Sequence, residues 1–366
     1  MKPIRWAALA AAVFVVLALS APPAGAATVV PKGFAPASTS WLGPQRGFVL
    51  GYAPCGKGAQ CPALLATGDG GGSWTRLGAP PVSLPASHNH VKLTMVDERV
   101  ALVSDGVHVL ATSDAGRHWS PIALAGAREP FYISKIAQTG GRVFALLTTY
   151  GKGAGSTRLY AGAARSPVLT PVPGFVATGG LTYGDLATEG GLQVALGSDY
   201  AGEKYWTSRD GLTFSRASAP CPAASTASLV GVRQGEVLAL CSGSAGSPQP
   251  GSSVRQLWHA PRLGGRFTGT SQAPVLGITQ SFSAASALSA TIAAEGGGAG
   301  FLHSTVDGGR SWTSTLLSER GLGLFDLDFP AERVGVVVDG MPGAADGSAV
   351  YRTIDGGITW SELTFD

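Results

Sequence analysis

Charge is scarce in this 366-residue chain: Asp, Glu, Lys and Arg make up 13% of it, about half the usual share. Hydrophobic residues reach 45%, which excludes intrinsic disorder, a state that needs low hydrophobicity and high net charge. The formal net charge is only +3, and the concentrated basic stripe of a nucleic-acid binder is not visible. Beyond the N-terminus no apolar run reaches the ~18 residues of a membrane span. Glycine and proline, by contrast, are plentiful at 53 and 24 residues. Both break helices, so a mainly helical fold is disfavoured.

The first 26 residues read as a secretory signal. Lys2 and Arg5 form a charged n-region, Trp6 to Leu19 an apolar h-region, and Ala24-Gly25-Ala26 a small-residue cleavage pattern with Ala27 as mature start. The competing reading is an uncleaved anchor. Loss of Lys2 and Arg5 leaves the mature chain, residues 27–366, near neutrality. Cysteines are few: Cys55, Cys61, Cys221 and Cys241. An even number in an exported chain reads as two disulfides. Cys55–Cys61 closes the short loop CGKGAQC, which leaves Cys221–Cys241. Their spacing and the scarcity of nearby histidine argue against a structural zinc site, and no cofactor is expected.

Internal repetition carries most of the information. TGDGGGSW starts at Thr67, TSDAGRHW at Thr112, TVDGGRSW at Thr305 and TIDGGITW at Thr353. Each has Asp two residues after Thr, Gly at four and Trp at seven. TSRDGLTF at Thr207 keeps Gly211 and the aromatic Phe214 but moves its acid to Asp210. The Thr-to-Thr steps are 45, 95, 98 and 48 residues, so decayed copies are expected near residues 160 and 257. RLYAGAARSPVLTPV from Arg158 and RQLWHAPRLGGRFTG from Arg255 lie there. A period near 50 with four short strands per unit predicts an all-β, seven-bladed β-propeller. In the last unit the strands are LGLFDLDF, RVGVVVDG, SAVYRTID and ITWSELTF. Because that unit ends on its own fourth strand, closure is expected blade against blade, with only Thr28–Val30 available as an extra outer strand.

The repeat resembles the Asp-box, or bacterial neuraminidase repeat. Its acids, Asp69, Asp114, Asp210, Asp307 and Asp355, read as turn residues whose carboxylates accept backbone N–H bonds. Trp74, Trp119, Phe214, Trp312 and Trp360 read as packing rings. Among Asp-box propellers, sialidases have six blades, an Arg-Ile-Pro motif and an arginine triad; no Arg-Ile-Pro occurs here. Xyloglucan hydrolases pair two propellers, and sortilin-like domains have about ten blades. The last unit, FDLDFPAERVGVVVDG followed by VYRTIDGGITW, resembles the repeat of the photosystem II stability and assembly factor family, exported single propellers. That resemblance implies a docking scaffold. The Arg-rich patch by which its photosynthetic members are thought to dock is not evident, because the arginines here look scattered.

Strand alternation places the first-to-second and third-to-fourth strand turns on one face and all other loops on the opposite face. The long loops fall on the latter, where binding residues tend to reside. Tyr150, Lys152, Tyr200 and Lys204 are candidates for an aromatic and basic rim. His88 and His90 could share a strand face, but with no third ligand evident a metal site is not expected. Asp326 and Asp328, alternate residues of an innermost strand, are the only catalytic candidates, as the paired carboxylates of a glycosidase. The sequence therefore predicts a secreted, monomeric, non-enzymatic propeller that binds a protein or cell-surface glycan. Its alternative is a sialidase-like or other glycoside hydrolase acting at the channel mouth.

Overall fold

The computed structural model describes residues 30–84, 91–128, 130–149, 155–188, 190–198, 202–222, 225–232, 235–243, 251–345 and 347–366. Among these residues there is no α-helix, and strands succeed one another in up-and-down meanders of four. The first holds β1 (Ala35–Trp41), β2 (Gly47–Gly56), β3 (Ala59–Thr67) and β4 (Thr75–Leu77). The second holds β5 (Lys92–Met95), β6 (Ala101–Ser104), β7 (Val109–Thr112) and β8 (Ser120–Leu124). β9 (Phe131–Thr139), β10 (Arg142–Thr149), β11 (Ser156–Ala163) and β12 (Val168–Thr178) follow. Next come β13 (Thr182–Ala187), β14 (Leu192–Ser198), β15 (Gly202–Ser208) and β16 (Ser215–Ala217). β17 (Thr226–Gly231), β18 (Val237–Gly243), β19 (Val254–Ala260) and β20 (Thr268–Ala273) form another. Then come β21 (Ile278–Ala284), β22 (Ala290–Gly296), β23 (Ala299–Thr305) and β24 (Thr313–Ser318). Last are β25 (Leu324–Ala331), β26 (Val334–Gly340), β27 (Ser348–Thr353) and β28 (Ser361–Glu362).

Second strands such as β10 and β14 are buried almost end to end, because sheets pack on both of their faces. That is why RVFALLTT and LQVALGS read as continuous apolar or small runs rather than alternating ones. Apolar clusters join each sheet to the next: Tyr52 with Leu93 and Val103, Leu102 with Val143 and Leu147, Leu146 with Leu186 and Val194. The series returns to its origin, since Val49 of β2 packs with Val338 of β26 and Val350 of β27. The sheets therefore form a ring.

The repeated turns make its joints. At the first, Thr67 Oγ donates to Asp69 Oδ1 at 2.7 Å and accepts from Gly71 N at 2.9 Å, while Ser73 N donates to Asp69 Oδ1 at 2.9 Å. Hydrogen bonds from Ser73 and Thr67 hold the Asp69 carboxyl well below its ordinary range. Asp114, Asp307 and Asp355 repeat this geometry. The fifth turn corrects the sequence alignment. Ser208, not Thr207, binds Asp210 at 2.9 Å and Gly211 N at 2.9 Å, so the acid keeps its place and the turn is one residue shorter.

Each turn aims its aromatic ring at the preceding sheet. Trp119 packs on the first meander, Phe214 against Phe144 and Phe175, Trp312 against Leu238 and Leu257, and Trp360 against Ala293 and Leu302. The glycine lets the backbones close in. Gly116 has φ +83°, and a Cβ there would lie 2.2 Å from Gly78 O. In the two decayed copies Phe267 and Leu169 take the seat.

The expectation of separate blades is modified at Leu169. Hydrogen bonding groups the strands into six sheets, because β8 and β12 pair in parallel and fuse two meanders into one eight-stranded sheet. Leu169 is the smallest side chain in the series, and with no broad ring between them the outer strands come within pairing distance. Ala125 N donates to Leu169 O at 2.9 Å. A second correction concerns the last strand, which is only two residues long. Leu363, whose amide still donates to Val350 O at 2.8 Å, and Phe365 turn their side chains against the first sheet.

Both disulfides, Cys55–Cys61 and Cys221–Cys241, are present. Trp312→Ala should lower stability by about 3 kcal/mol, the low end for a large-to-small change because the ring is half-buried, as read by the urea midpoint at unchanged m-value. Cys221→Ser with Cys241→Ser should cost up to about 3 kcal/mol, the loop-closure value for a bridge of this span, in the same measurement.

Candidate functional site

Residues of β1, β5, β9, β13, β17, β21 and β25 line one cavity of about 300 Å³, so the first strand of every meander faces the axis. A second cavity of about 320 Å³ shares Lys92, Lys135, Ile136, Phe282, Asp326 and Leu327 with it. The first takes residues from the ends of these strands, such as Ser40, Met95 and Gln138, and so opens on the face of the repeated turns. The second takes residues from their starts, such as Tyr132 and Gln280, and opens on the long-loop face. Together they make an axial channel, meeting at the shared residues.

Where the cavities meet, charged side chains stand beside Ile136, Phe282 and Leu327. Asp326 Oδ1 meets Lys92 Nζ at 2.5 Å, and its Oδ2 accepts from Thr39 N at 3.0 Å and from Ser38 Oγ. Ser38 Oγ in turn accepts from Leu93 N at 2.8 Å. Lys135 Nζ meets Asp185 Oδ1 at 2.9 Å, and Asp185 Oδ2 accepts from Leu229 N at 2.8 Å. The Asp185 charge keeps the Lys135 ammonium protonated beyond its ordinary range. Asp326 has φ +53°, uncommon for a side-chain-bearing residue, and the ladder is irregular between Phe325 and Asp328. The simple alternation assumed for Asp326 and Asp328 is therefore interrupted. Both line the turn-face cavity, but Asp326 also reaches the other one. Burial pushes the Asp328 carboxyl upward, Lys92 opposes this, and Asp326 adds to it. No arginine is among the described residues lining either cavity.

A further acid lies beside the Cys221–Cys241 disulfide, which ties the connection after β16 to β18 of the next meander. Glu203 Oε2 accepts from Ala227 N at 3.2 Å, whereas its Oε1 is buried without a partner. Burial pushes this carboxyl up to about 7, despite the hydrogen bond from the Ala227 amide. Cys241 lies opposite Ala227 in the β17–β18 ladder, so acid and disulfide fix the same connection.

Of the expected rim, Lys204 is exposed on β15. Tyr150, Lys152, Tyr200, His88 and His90 lie outside the described residues. Among the described residues no group of His, Cys, Asp or Glu could hold a metal. None of the repeated-turn acids or rings lines the channel. Sequence reasoning missed Lys92, Lys135 and Asp185. The available signal was an isolated charge in the first strand of a unit, in a chain with so few charges.

No protein-family model and no curated protein matches the chain. Solved structures do. It is similar to YCF48 bound to D1 peptide, with TM-score 0.52, 16% identity, and coverage of 89% of this chain and 95% of that one. It is similar to virginiamycin B lyase from Staphylococcus aureus, with TM-score 0.53, 10% identity and coverage of 87% and 94%. A puromycin-hydrolyzing peptidase of Mycobacterium tuberculosis gives TM-score 0.54 at 11% identity, over 93% of this chain and 54% of that one. Identities this low establish the fold, a β-propeller, and nothing finer.

The Glu203 carboxyl is shifted from 4.5 to about 7 on folding, so the folded state binds its proton more tightly than the unfolded state. Its contribution is complete below pH 4.5 and declines as pH rises through 7. Glu203→Gln should flatten this part of the stability profile, as measured by urea midpoints between pH 4 and 8.

Proposed function

We propose that this chain is an exported, non-enzymatic propeller of seven blades that binds a protein or cell-surface glycan through its long-loop face. The carrying observation is the state of the axial acids. Asp326 is consumed by Lys92, Thr39 and Ser38, and Asp185 by Lys135 and Leu229. A glycosidase of either stereochemistry needs two working carboxylates, and this arrangement leaves Asp328 alone. Seven blades are supported by seven first strands on the axis and seven inter-sheet seats, with the fused sheet counted as two blades. The peptide-bound state of the YCF48 structure supports a protein partner. The signal-like N-terminus and the two disulfides support export, and no helix among the described residues is long and apolar enough to cross a membrane.

One observation favours the enzymatic reading: the raised Asp328 carboxyl in the channel, suited to a general acid. A screen of the exported chain against chromogenic glycosides and wall polysaccharides separates the two. No turnover is expected. Turnover abolished by Asp328→Asn, with melting temperature unchanged, would establish a hydrolase instead.

A further inference from the structure

A third cavity, of about 330 Å³, lies away from the axis between the second and third meanders. It is lined by Arg128 from the β8–β9 connection, Leu147 and Thr149 from β10, and Ser156, Arg158 and Tyr160 from β11. In the ladder Leu147 lies opposite Arg158 and Thr149 opposite Ser156, so these side chains share one face of the sheet. Deep in the joint that face is apolar: Leu147 and Tyr160 are 2% and 3% exposed and pack toward the second meander. Toward the long-loop rim it becomes hydroxylic and cationic, and there the joint opens.

The surrounding sequence has an unusual balance. From Pro130 to Gly184 there are five cations, Lys135, Arg142, Lys152, Arg158 and Arg165, and no acid, although the whole chain holds 26 basic and 23 acidic residues. Glu129 and Asp185 bound the stretch, and Asp185 is engaged by Lys135. Among the described residues neither Arg128 nor Arg158 is paired with a carboxylate, and no acid lines the cavity.

We propose that this cavity binds a hexuronate, with its carboxylate held by Arg128 and Arg158. This rests on the scaffold reading and names its ligand class. A guanidinium presents a planar fork that matches a carboxylate. The volume is at the small end of small-molecule sites and holds about ten waters at ~30 Å³ each, so a bare inorganic anion leaves most of it unfilled. A pyranose ring uses the remainder: its C–H face meets the apolar wall of Leu147 and Tyr160, and its hydroxyls meet Thr149 and Ser156.

The test is calorimetric titration of the exported chain with glucuronate, galacturonate, glucose, inorganic phosphate and tetraglutamate. Both uronates should bind and glucose should not. Arg158→Gln and Arg128→Gln should each weaken uronate binding at least tenfold without altering the melting temperature, and Arg158→Lys should restore it only in part. Glucose, phosphate or tetraglutamate binding as tightly as the uronates would overturn the assignment, the last in favour of an acidic peptide. Uronate binding unchanged in both glutamine variants would also overturn it. The two readings fail separately: glycoside turnover with arginine-dependent uronate binding removes only the scaffold reading, whereas absent uronate binding in a chain without turnover removes only the pocket.

Discussion

Closing the ring is the constraint on which this structure depends. Among the described residues the first sheet contains only β1–β4 and the last only β25–β28, so no described strand is exchanged across the final joint and no ladder between described strands locks it. Side chains do the locking. The Trp74 indole N–H donates to Thr364 O at 3.0 Å, and Phe365 lies 4.9 Å from Trp74 and 5.0 Å from Phe34. Arg352 donates to Pro44 O at 3.1 Å. Aromatic pairs of this kind contribute about 0.5–1.5 kcal/mol each beyond their buried area. At the inner rim Asp326 reaches Thr39 on β1 and Lys92 on β5, tying the last sheet to the first two.

That tie restricts what the axis can do. A carboxylate that accepts from a lysine, a hydroxyl and an amide has little capacity left for a substrate. The left-handed backbone at Asp326 is in keeping with this role, since it redirects one residue of an otherwise extended strand toward its neighbour across the joint. Strained residues often mark functional sites, but here the strain is accounted for by ring closure. On the scaffold reading proposed above, recognition falls to loops and inter-sheet joints that the closure does not need.

What the sequence disclosed followed range. The turns were legible because each is complete within eight residues, with acid, glycine and ring in fixed order. The disulfides were legible because four cysteines left few pairings. The axial pairs were hidden: Lys92 and Asp326 are separated by 234 positions, and nothing local in either strand names its partner. The β8–β12 pairing was hidden for another reason, since it arises from the absence of a broad ring at Leu169. Ser208 displaced Thr207 because two adjacent hydroxyls offer the same chemistry and only the ladder register decides between them. The cationic third meander escaped notice because a whole-chain charge averages it with acids elsewhere.

The blade-against-blade closure has a topological consequence. The joint between the last and first sheets is made of the same parts as the internal ones: a ring seated on the preceding sheet and a glycine at close approach, Gly71 against Leu363. Among the described residues no sheet is then distinguished by having to recruit a strand from the far end of the chain. Cutting the polypeptide between two other meanders and linking the present ends would preserve every sheet whole. The architecture is thus indifferent to circular permutation, in a way that a propeller with a shared closing sheet is not.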